Sequence, residues 1–381
     1  MRTISIYYPG KLVFGNGCSN SFADDFISSG YKKLLLVTAP PIVNIIEHII
    51  EKLQSSGIEI FIYDVVKTEP EIEDLNNAVR FAVSNNIDSV VGIGGGSVLD
   101  LAKLVAAMYK MNQSIQEVFG IGNLKSRGTY LACLPTTAGT GSEVSPNAIL
   151  LDKNDNLKKG VVSPHLVPDS AYVDPLLTKS VPPPVTAATG MDALIHCIEE
   201  YTNVFSHPVV NVYALEGIRL IARNLVKVYE NGNDEDAREK VALGSLYGGL
   251  GLGPVNTAAV HALSYPLGGE FHITHGLSNA VLLPYVMKYN IETAADKYAE
   301  VAVVLGAEKG KDNYETARNG VGKIFELYEK LNIPVKLSAL GIPEAAINRI
   351  AEGALKVERL LKNNPRRITK NDAIKIYKEA Y

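Results

Sequence analysis

The chain has 381 residues, which is enough for two domains that each have a core of their own. Its formal net charge is -4 and 20% of its residues are charged, so no excess of positive charge points to nucleic acid or to an anionic membrane. No apolar run has the length of a transmembrane helix and the N-terminus lacks the apolar segment of a signal peptide, so we expect a cytoplasmic protein.

The first part of the chain alternates β-rich runs with helical patterns. After an N-terminal strand at residues 1–8, the patterns predict strand 33–38, helix 42–54, strand 59–63, helix 71–84, strand 89–93, helix 97–108 and strand 130–134. This order predicts a parallel sheet with helices on both sides. Parallel sheets bind ligands at the carboxyl ends of their strands, and the loops rich in glycine should lie there.

The pattern changes at the proline run Pro182-Pro183-Pro184, which indicates a domain boundary. Beyond it the apolar residues recur with long helical periods, and β-rich runs are few. We therefore expect an α/β domain over residues 1–180 and an all-helical domain over residues 181–381.

Two loops of the first domain have the composition of a nucleotide site. Gly94-Gly95-Gly96-Ser97 lies between a predicted strand and a predicted helix, where free N–H groups can bind an anion such as a diphosphate. The segment is not a standard G-x-G-x-x-G fingerprint, and a tight turn without a ligand is the alternative. The second loop, residues 135–145, is dense in glycines and in hydroxyl groups that can bond ribose, phosphate or carboxamide.

Four residues of the second domain form a candidate metal site. Asp192 and His196 are one helical turn apart and share a helix face, while His261 and His275 belong to a segment with three histidines in fifteen positions. A carboxylate and three imidazoles suit zinc or ferrous iron, which can polarise a substrate oxygen. Cys197 follows His196 but points away from this face, so we interpret it as a buried apolar residue.

Taken together, these motifs resemble the iron-containing (group III) alcohol dehydrogenases, and the resemblance covers essentially the whole chain. It includes Gly94-Gly95-Gly96-Ser97 with Asp100 and Lys103, residues 135–143, residues 190–196, the segment from His261 to His275, and Asn364-Pro365-Arg366. It implies a dehydroquinate synthase-like fold, with an N-terminal dinucleotide-binding α/β domain, a C-terminal helical metal-binding domain and the active site in the cleft between them. It also implies a homodimer or a larger assembly.

The resemblance assigns roles to individual residues. Ferrous iron, or zinc, is expected on Asp192, His196, His261 and His275. NAD or NADP is expected on Ala39, Gly94, Gly95, Gly96, Ser97, Asp100, Thr136, Thr137, Thr140, Ser142 and Lys158. The implied reaction is hydride transfer between the nicotinamide ring and a small alcohol or aldehyde, and His272 is a candidate proton relay.

Three positions depart from the family pattern. Tyr265 stands where many members have a histidine, which favours His272 as the relay. Leu252 stands where some relatives have an aromatic residue, so the pocket here can differ in size. Ala39 stands where many NAD-specific members have an aspartate, and alanine would not repel the 2′-phosphate of NADP.

Two other classes of enzyme stay open. A lyase related to dehydroquinate synthase would need basic residues for a phosphorylated substrate, and we find none clustered around the metal motif. A metal-dependent hydrolase could use the same aspartate and histidines to activate water. The sequence leaves the choice of alcohol or aldehyde, of NAD or NADP and of iron or zinc open.

Overall fold

The computed structural model describes residues 2–66, 70–153 and 157–381. These residues form two compact units, one over Ile6–Val181 and one over Pro182–Tyr381, to which residues 2–5 also belong. In the second unit, the Arg2 guanidinium donates hydrogen bonds to the carbonyls of Phe205 and Pro254.

The first unit contains a six-stranded parallel sheet and a smaller three-stranded sheet. The nine strands that the structure describes are β1 Lys11–Phe14, β2 Lys33–Val37, β3 Glu59–Tyr63, β4 Ser89–Gly94, β5 Gly120–Ile121, β6 Tyr130–Pro135, β7 Asn147–Asp152, β8 Leu157–Val162 and β9 Ser170–Val173. The larger sheet has the order β1-β9-β6-β4-β2-β3, and the smaller one the order β5-β8-β7. The parallel sheet that the sequence predicts is confirmed.

Helices cover both faces of the larger sheet. The six α-helices that the structure describes in this unit are α1 Ser19–Ser29, α2 Pro40–Val43, α3 Glu47–Ser55, α4 Ile72–Ser84, α5 Gly96–Met108 and α6 Ile115–Val118. Side chains alternate along each strand, so Leu35 packs in the core with α4 and α5, while Leu34 and Leu36 pack in the core with α1 and α3. Burial on both faces explains the continuous apolar run of β2.

Two expectations for this unit need correction, and one sheet was not predicted. Residues 2–9 form no strand, and the first strand begins at Lys11 and pairs with β9. A β-rich composition favours extended backbone, but a strand also needs a neighbour, which this segment lacks among the described residues. The predicted helix 42–54 is two helices, α2 and α3, since Ile46 has a non-helical φ of -105° and ψ of 11°. The smaller sheet, with its antiparallel pair β7–β8, was not predicted.

The second unit is helical throughout, as predicted. Its nine α-helices are α7 Pro183–Thr202, α8 Pro208–Glu230, α9 Glu235–Gly251, α10 Ala259–Phe271, α11 His275–Leu305, α12 Asn313–Leu331, α13 Ile347–Leu355, α14 Glu358–Leu361 and α15 Lys370–Glu379. Among the helices described for the chain, none combines the length and the apolar character that crossing a membrane would need.

Glycines allow two helices to approach α7 closely. A Cβ on Gly248 of α9 would lie 3.2 Å from Cβ of His196 and 3.3 Å from Sγ of Cys197. A Cβ on Gly276, in the first turn of α11, would lie 2.3 Å from the carbonyl oxygen of Ala188. Because no real side chain fits at the second distance, α11 can begin beside α7 only with glycine at this position.

A buried lysine connects α5 to the loop between β6 and β7. Lys103 is fully buried, and its ammonium donates hydrogen bonds to the carbonyls of Ser142, Ser145 and Asn147. Burial lowers the pKa of this ammonium. The three carbonyls offset part of the desolvation cost, so the lysine fixes the path of residues 142–147 relative to α5.

We expect Lys103→Met to lower the free energy of unfolding by about 3–5 kcal/mol, because three buried carbonyls would lose a charged donor. Denaturant unfolding followed by circular dichroism measures this change. Lys32→Met, at an exposed lysine of the same unit, should change it by less than about 0.5 kcal/mol. Equal stabilities of the two variants would contradict the role of Lys103.

Candidate functional site

Three histidine side chains of the second unit converge on one carboxylate oxygen. Asp192 Oδ1 lies 3.5 Å from Nε2 of His261, 3.8 Å from Nε2 of His275 and 4.0 Å from Nε2 of His196. Ligand atoms around a tetrahedral zinc ion lie about 3.3 Å apart, given bond lengths of about 2.0–2.1 Å. Asp192, His261 and His275 therefore have the composition and nearly the spacing of a mononuclear metal site, because one ligand atom from each lies within 4.8 Å of the others. His196 lies beside this group of three, near Asp192.

Each of the four groups comes from a helix that fixes its direction. Asp192 and His196 lie one turn apart in α7, His261 lies in the first turn of α10, and His275 is the first residue of α11. The His196 and His261 rings are stacked with their centroids 4.8 Å apart, and the His261 and His275 rings meet edge to face at 5.2 Å. Asp192, His196 and His261 are buried, whereas the His275 side chain is 29% exposed.

The electrostatics of this group favour a bound cation. Burial opposes ionisation of Asp192, but the imidazoles outweigh it and hold the pKa of the carboxyl well below its usual range. Burial likewise opposes a charge on His261, yet Asp192 and Glu199 outweigh it and raise the pKa of the imidazole to about 9. The group thus stabilises positive charge where the four side chains meet.

Glu199 orients the His261 ring, and the sequence analysis missed it. Its carboxylate accepts hydrogen bonds from the backbone N–H of Val260 and from Nδ1 of His261, both at 2.6 Å. With the proton of a neutral His261 on Nδ1, the Nε2 lone pair faces Asp192. In that tautomer two acceptors face each other across 3.5 Å, and either a proton on Nε2 or a metal cation between the two atoms would remove their repulsion. His261 Nε2 is buried and has no hydrogen-bond partner of normal geometry among the described residues.

The spacing along α7 could have revealed Glu199. Asp192, His196 and Glu199 follow one another at i, i+4 and i+7, so they lie along one face of the helix. Asn279, in the second turn of α11, was also missed. Its amide nitrogen donates to Asp192 Oδ1 at 2.7 Å and lies 3.2 Å from Nε2 of His275.

The first unit brings the two predicted nucleotide loops into contact. Gly94 ends β4, and its carbonyl accepts a hydrogen bond from the N–H of Thr136, which follows β6. Gly95 caps α5, and Gly96 and Ser97 are its first two residues. The first N–H groups of a helix have no partner within the helix, so this end of α5 offers donors to an anion.

Packing explains two of the three consecutive glycines and leaves the third to another cause. A Cβ on Gly94 would lie 2.6 Å from Cβ of Val98, and a Cβ on Gly96 would lie 2.4 Å from Cγ2 of Thr140. A Cβ on Gly95 would make only an ordinary contact, 3.4 Å from Cγ2 of Thr137. The N-cap position of Gly95 accommodates glycine, and its open surroundings would also let a ligand approach the backbone there.

Two of the predicted cofactor residues bind each other. Asp100 accepts hydrogen bonds from the hydroxyl of Ser142 at 2.5 Å and from the N–H of Ile149 at 2.9 Å. Asp100 therefore joins Lys103 in holding the second loop against α5. The other polar residues of this loop that we expect at the cofactor are the buried Thr136 and the half-buried Thr137 and Thr140.

Ala39 and Lys158 belong to different parts of the first unit. Ala39 directly precedes α2 at the carboxyl end of β2, whose neighbour β4 carries the glycine loop. Its side chain is partly buried against the core. Lys158 lies in β8 of the smaller sheet, opposite Leu151.

The remaining sequence candidates lie in the second unit. His272 ends α10 in the left-handed conformation, with a φ of 55°, and its side chain is exposed. Tyr265 is buried in α10, and its ring centroid lies 6.1 Å from that of His275. Leu252 is buried at the end of α9.

Two family models match the chain, one described as iron-containing alcohol dehydrogenase over residues 9–175 and one as the C-terminal part of the Fe-containing alcohol dehydrogenase family over residues 186–381. The chain therefore belongs to the iron-containing alcohol dehydrogenase family and is an oxidoreductase of the alcohol dehydrogenase and aldehyde reductase class.

Individual relatives match over nearly their full length. Long-chain-alcohol dehydrogenase 1 of Geobacillus thermodenitrificans is 38% identical, covering 100% of this chain and 98% of the relative. Lactaldehyde reductase of Escherichia coli is 31% identical, covering 97% of both chains. A crystal structure of a 1,3-propanediol oxidoreductase superposes with a TM-score of 0.96 at 32% identity, covering 100% of both chains.

We expect Glu199→Gln to weaken binding of Zn²⁺ by about 10- to 100-fold. The glutamine amide would place N–H groups against Nδ1 of His261 and favour the tautomer whose Nε2 carries the proton and cannot bind metal. Competition with a chromogenic chelator measures the affinity. Glu216→Gln, on the surface of α8, is the matched control, and equal affinities of the two variants would refute the role of Glu199.

Proposed function

We propose that the chain binds one divalent metal ion through Asp192, His196, His261 and His275, and NAD(H) or NADP(H) at the loops after β4 and β6. Ferrous iron is the metal that we favour, with zinc as the alternative. With both bound, the protein would transfer hydride between the nicotinamide ring and a small alcohol or aldehyde. The observation that carries the proposal is the convergence of three Nε2 atoms on Asp192 Oδ1.

The donor set of the site fits such an ion. One carboxylate and three neutral imidazoles leave a divalent cation with a net charge near +1, so the site would act as a Lewis acid toward a substrate oxygen. Glu199 would hold His261 in the tautomer that presents Nε2, and Asn279 would hold the Asp192 carboxylate by its hydrogen bond to Oδ1. These two residues prepare the geometry before the ion arrives.

The first unit would bind and orient the nicotinamide cofactor. The N-terminus of α5 offers backbone donors to the diphosphate, and Gly95 lets the phosphate approach the backbone. Lys103 and Asp100 act indirectly, because they hold the hydroxyl-rich loop in place. The cofactor carries the redox chemistry, and the protein orients it and excludes water. As in the family at large, we propose a cytoplasmic homodimer or larger homo-oligomer.

The direct test is reduction of short aldehydes by NADH or NADPH, followed by the loss of absorbance at 340 nm. We expect activity in the protein loaded with Fe²⁺ or Zn²⁺ and none after treatment with a chelator. The His261→Ala variant, loaded in the same way, should lose both its metal and its activity. Metal-independent turnover, or no change of absorbance with any aldehyde and either cofactor, would reject the proposal.

Cofactor choice should depend on Ala39. We expect Ala39→Asp to lower the ratio of kcat/KM for NADPH to that for NADH by about 10- to 100-fold, because a carboxylate would repel the 2′-phosphate. Asn76→Asp, which adds the same charge at an exposed position of α4, is the control. A ratio that does not move in Ala39→Asp would show that Ala39 is not beside the ribose.

His272 remains our candidate for the proton relay, since it is three residues from His275 and exposed to water. We expect His272→Ala to lower kcat by about 10- to 1000-fold while the metal content stays constant. His48→Ala, at an exposed histidine of α3, is the control, and a kcat in His272→Ala equal to that of the control would exclude the relay.

A further inference from the structure

Arg359 places a guanidinium beside the residues that surround the candidate metal site. Arg359 lies in α14, and its Nη2 donates a hydrogen bond to the hydroxyl of Tyr265 at 3.0 Å. The guanidinium carbon lies 6.0 Å from the centroid of the Tyr265 ring. The same ring lies 6.1 Å from the His275 ring, so Tyr265 is a neighbour of both the arginine and His275.

The surroundings of this guanidinium lack a balancing negative charge. Arg359 is half-buried, and among the residues that the structure describes no carboxylate forms an ion pair with it. Glu358, its neighbour in the chain, is exposed. Apolar side chains, among them Ala262 and Leu360, pack against one part of Tyr265. A partly desolvated cation in such surroundings is stabilised by an anionic ligand.

A second arginine, on the neighbouring helix, differs from Arg359 because it is paired with a carboxylate. Arg349, in α13, pairs with the carboxylate of Glu270, and its side chain is 63% exposed. The two arginines therefore differ in their partners. Arg349 forms a solvated ion pair at the surface, whereas Arg359 has N–H donors that no carboxylate accepts among the described residues. Guanidinium donors form a planar fork that matches a carboxylate.

We propose that Arg359 binds the carboxylate of a bifunctional substrate, an aldehyde or alcohol that carries an acid group at its other end. This inference rests on the proposed function, because the reacting oxygen is taken to lie at the metal site. The two 6 Å distances through Tyr265 limit the separation of the His275 ring from the guanidinium to what a small molecule spans. Arg359 would keep the acid group away from the metal site and so set the direction of binding.

The test compares ω-oxo acids of two to six carbons with uncharged aldehydes of matched length, such as 4-oxobutanoate with pentanal. We expect the metal-loaded protein to have a larger kcat/KM for one of the acids than for its matched aldehyde. In Arg359→Gln the ratio of the two values should fall by about 10- to 100-fold, mainly through the KM of the acid, as the loss of a charged hydrogen bond predicts. Arg359→Lys should lose less, since it keeps the charge.

Arg349→Gln is the matched control and should leave the ratio of acid to aldehyde unchanged. Competitive inhibition of pentanal reduction by butanoate is a second measure, and Arg359→Gln should weaken it by a similar factor. A preference for the uncharged aldehydes, or an equal loss for both classes in Arg359→Gln, would overturn the assignment of Arg359 while the dehydrogenase function stands. Failure to reduce either class would overturn the proposed function and this inference with it.

Discussion

The structure of the second unit depends on the burial of one carboxylate. Asp192 is almost inaccessible to water, and an ionised carboxylate in that position is stable only with compensating positive charge. Three imidazoles and the Asn279 amide surround it, and they come from three helices, α7, α10 and α11. The buried charge of Asp192 therefore favours the meeting of these helices, and the divalent cation that we propose would bind to the same side chains.

The helices reach this arrangement because small residues remove the obstacles between them. Gly276 lets the first turn of α11 contact the backbone of α7 at Ala188, one turn before Asp192. Gly248 of α9 packs against His196 from the other side. Glu199 then joins α7 to the first turn of α10 through Val260 and His261. Backbone packing and side-chain hydrogen bonds thus restrict the same four groups before any ligand binds.

Local patterns predicted much of the fold, because buried strands and helices have characteristic spacings of apolar residues in the sequence. The β2 and β4 strands, buried on both faces, read as continuous apolar runs, and α4 and α5 follow the helical period. The antiparallel pair β7–β8 was not predicted, because strand pairing depends on two segments together and neither segment indicates it alone. Residues 2–9 show the opposite error, where a β-rich segment has no neighbouring strand.

The candidate metal site likewise has one part that a local pattern predicted and other parts that depend on contacts between distant segments. The spacing of Asp192 and His196 within one helix predicted their shared face. Their grouping with His261 and His275 rested on the density of histidines in a later segment and on the chemistry of metal ligands, because no local pattern indicates which distant residues meet. The hydrogen bond of Tyr265 to Arg359, which are 94 positions apart, left no local signal. The buried Lys103 was noticed as part of a motif, but its three carbonyl partners lie about 40 residues further along the chain.

X-ray absorption fine structure at the zinc edge tests the central claim most directly, on protein loaded with one equivalent of Zn²⁺. The account predicts a shell of nitrogen and oxygen neighbours at about 2.0–2.2 Å, with the outer-shell scattering of three imidazole rings. A sulfur neighbour at about 2.3 Å, as Cys197 would give, or scattering from fewer than two imidazoles, would contradict the claim that Asp192 and the three histidines form the metal site.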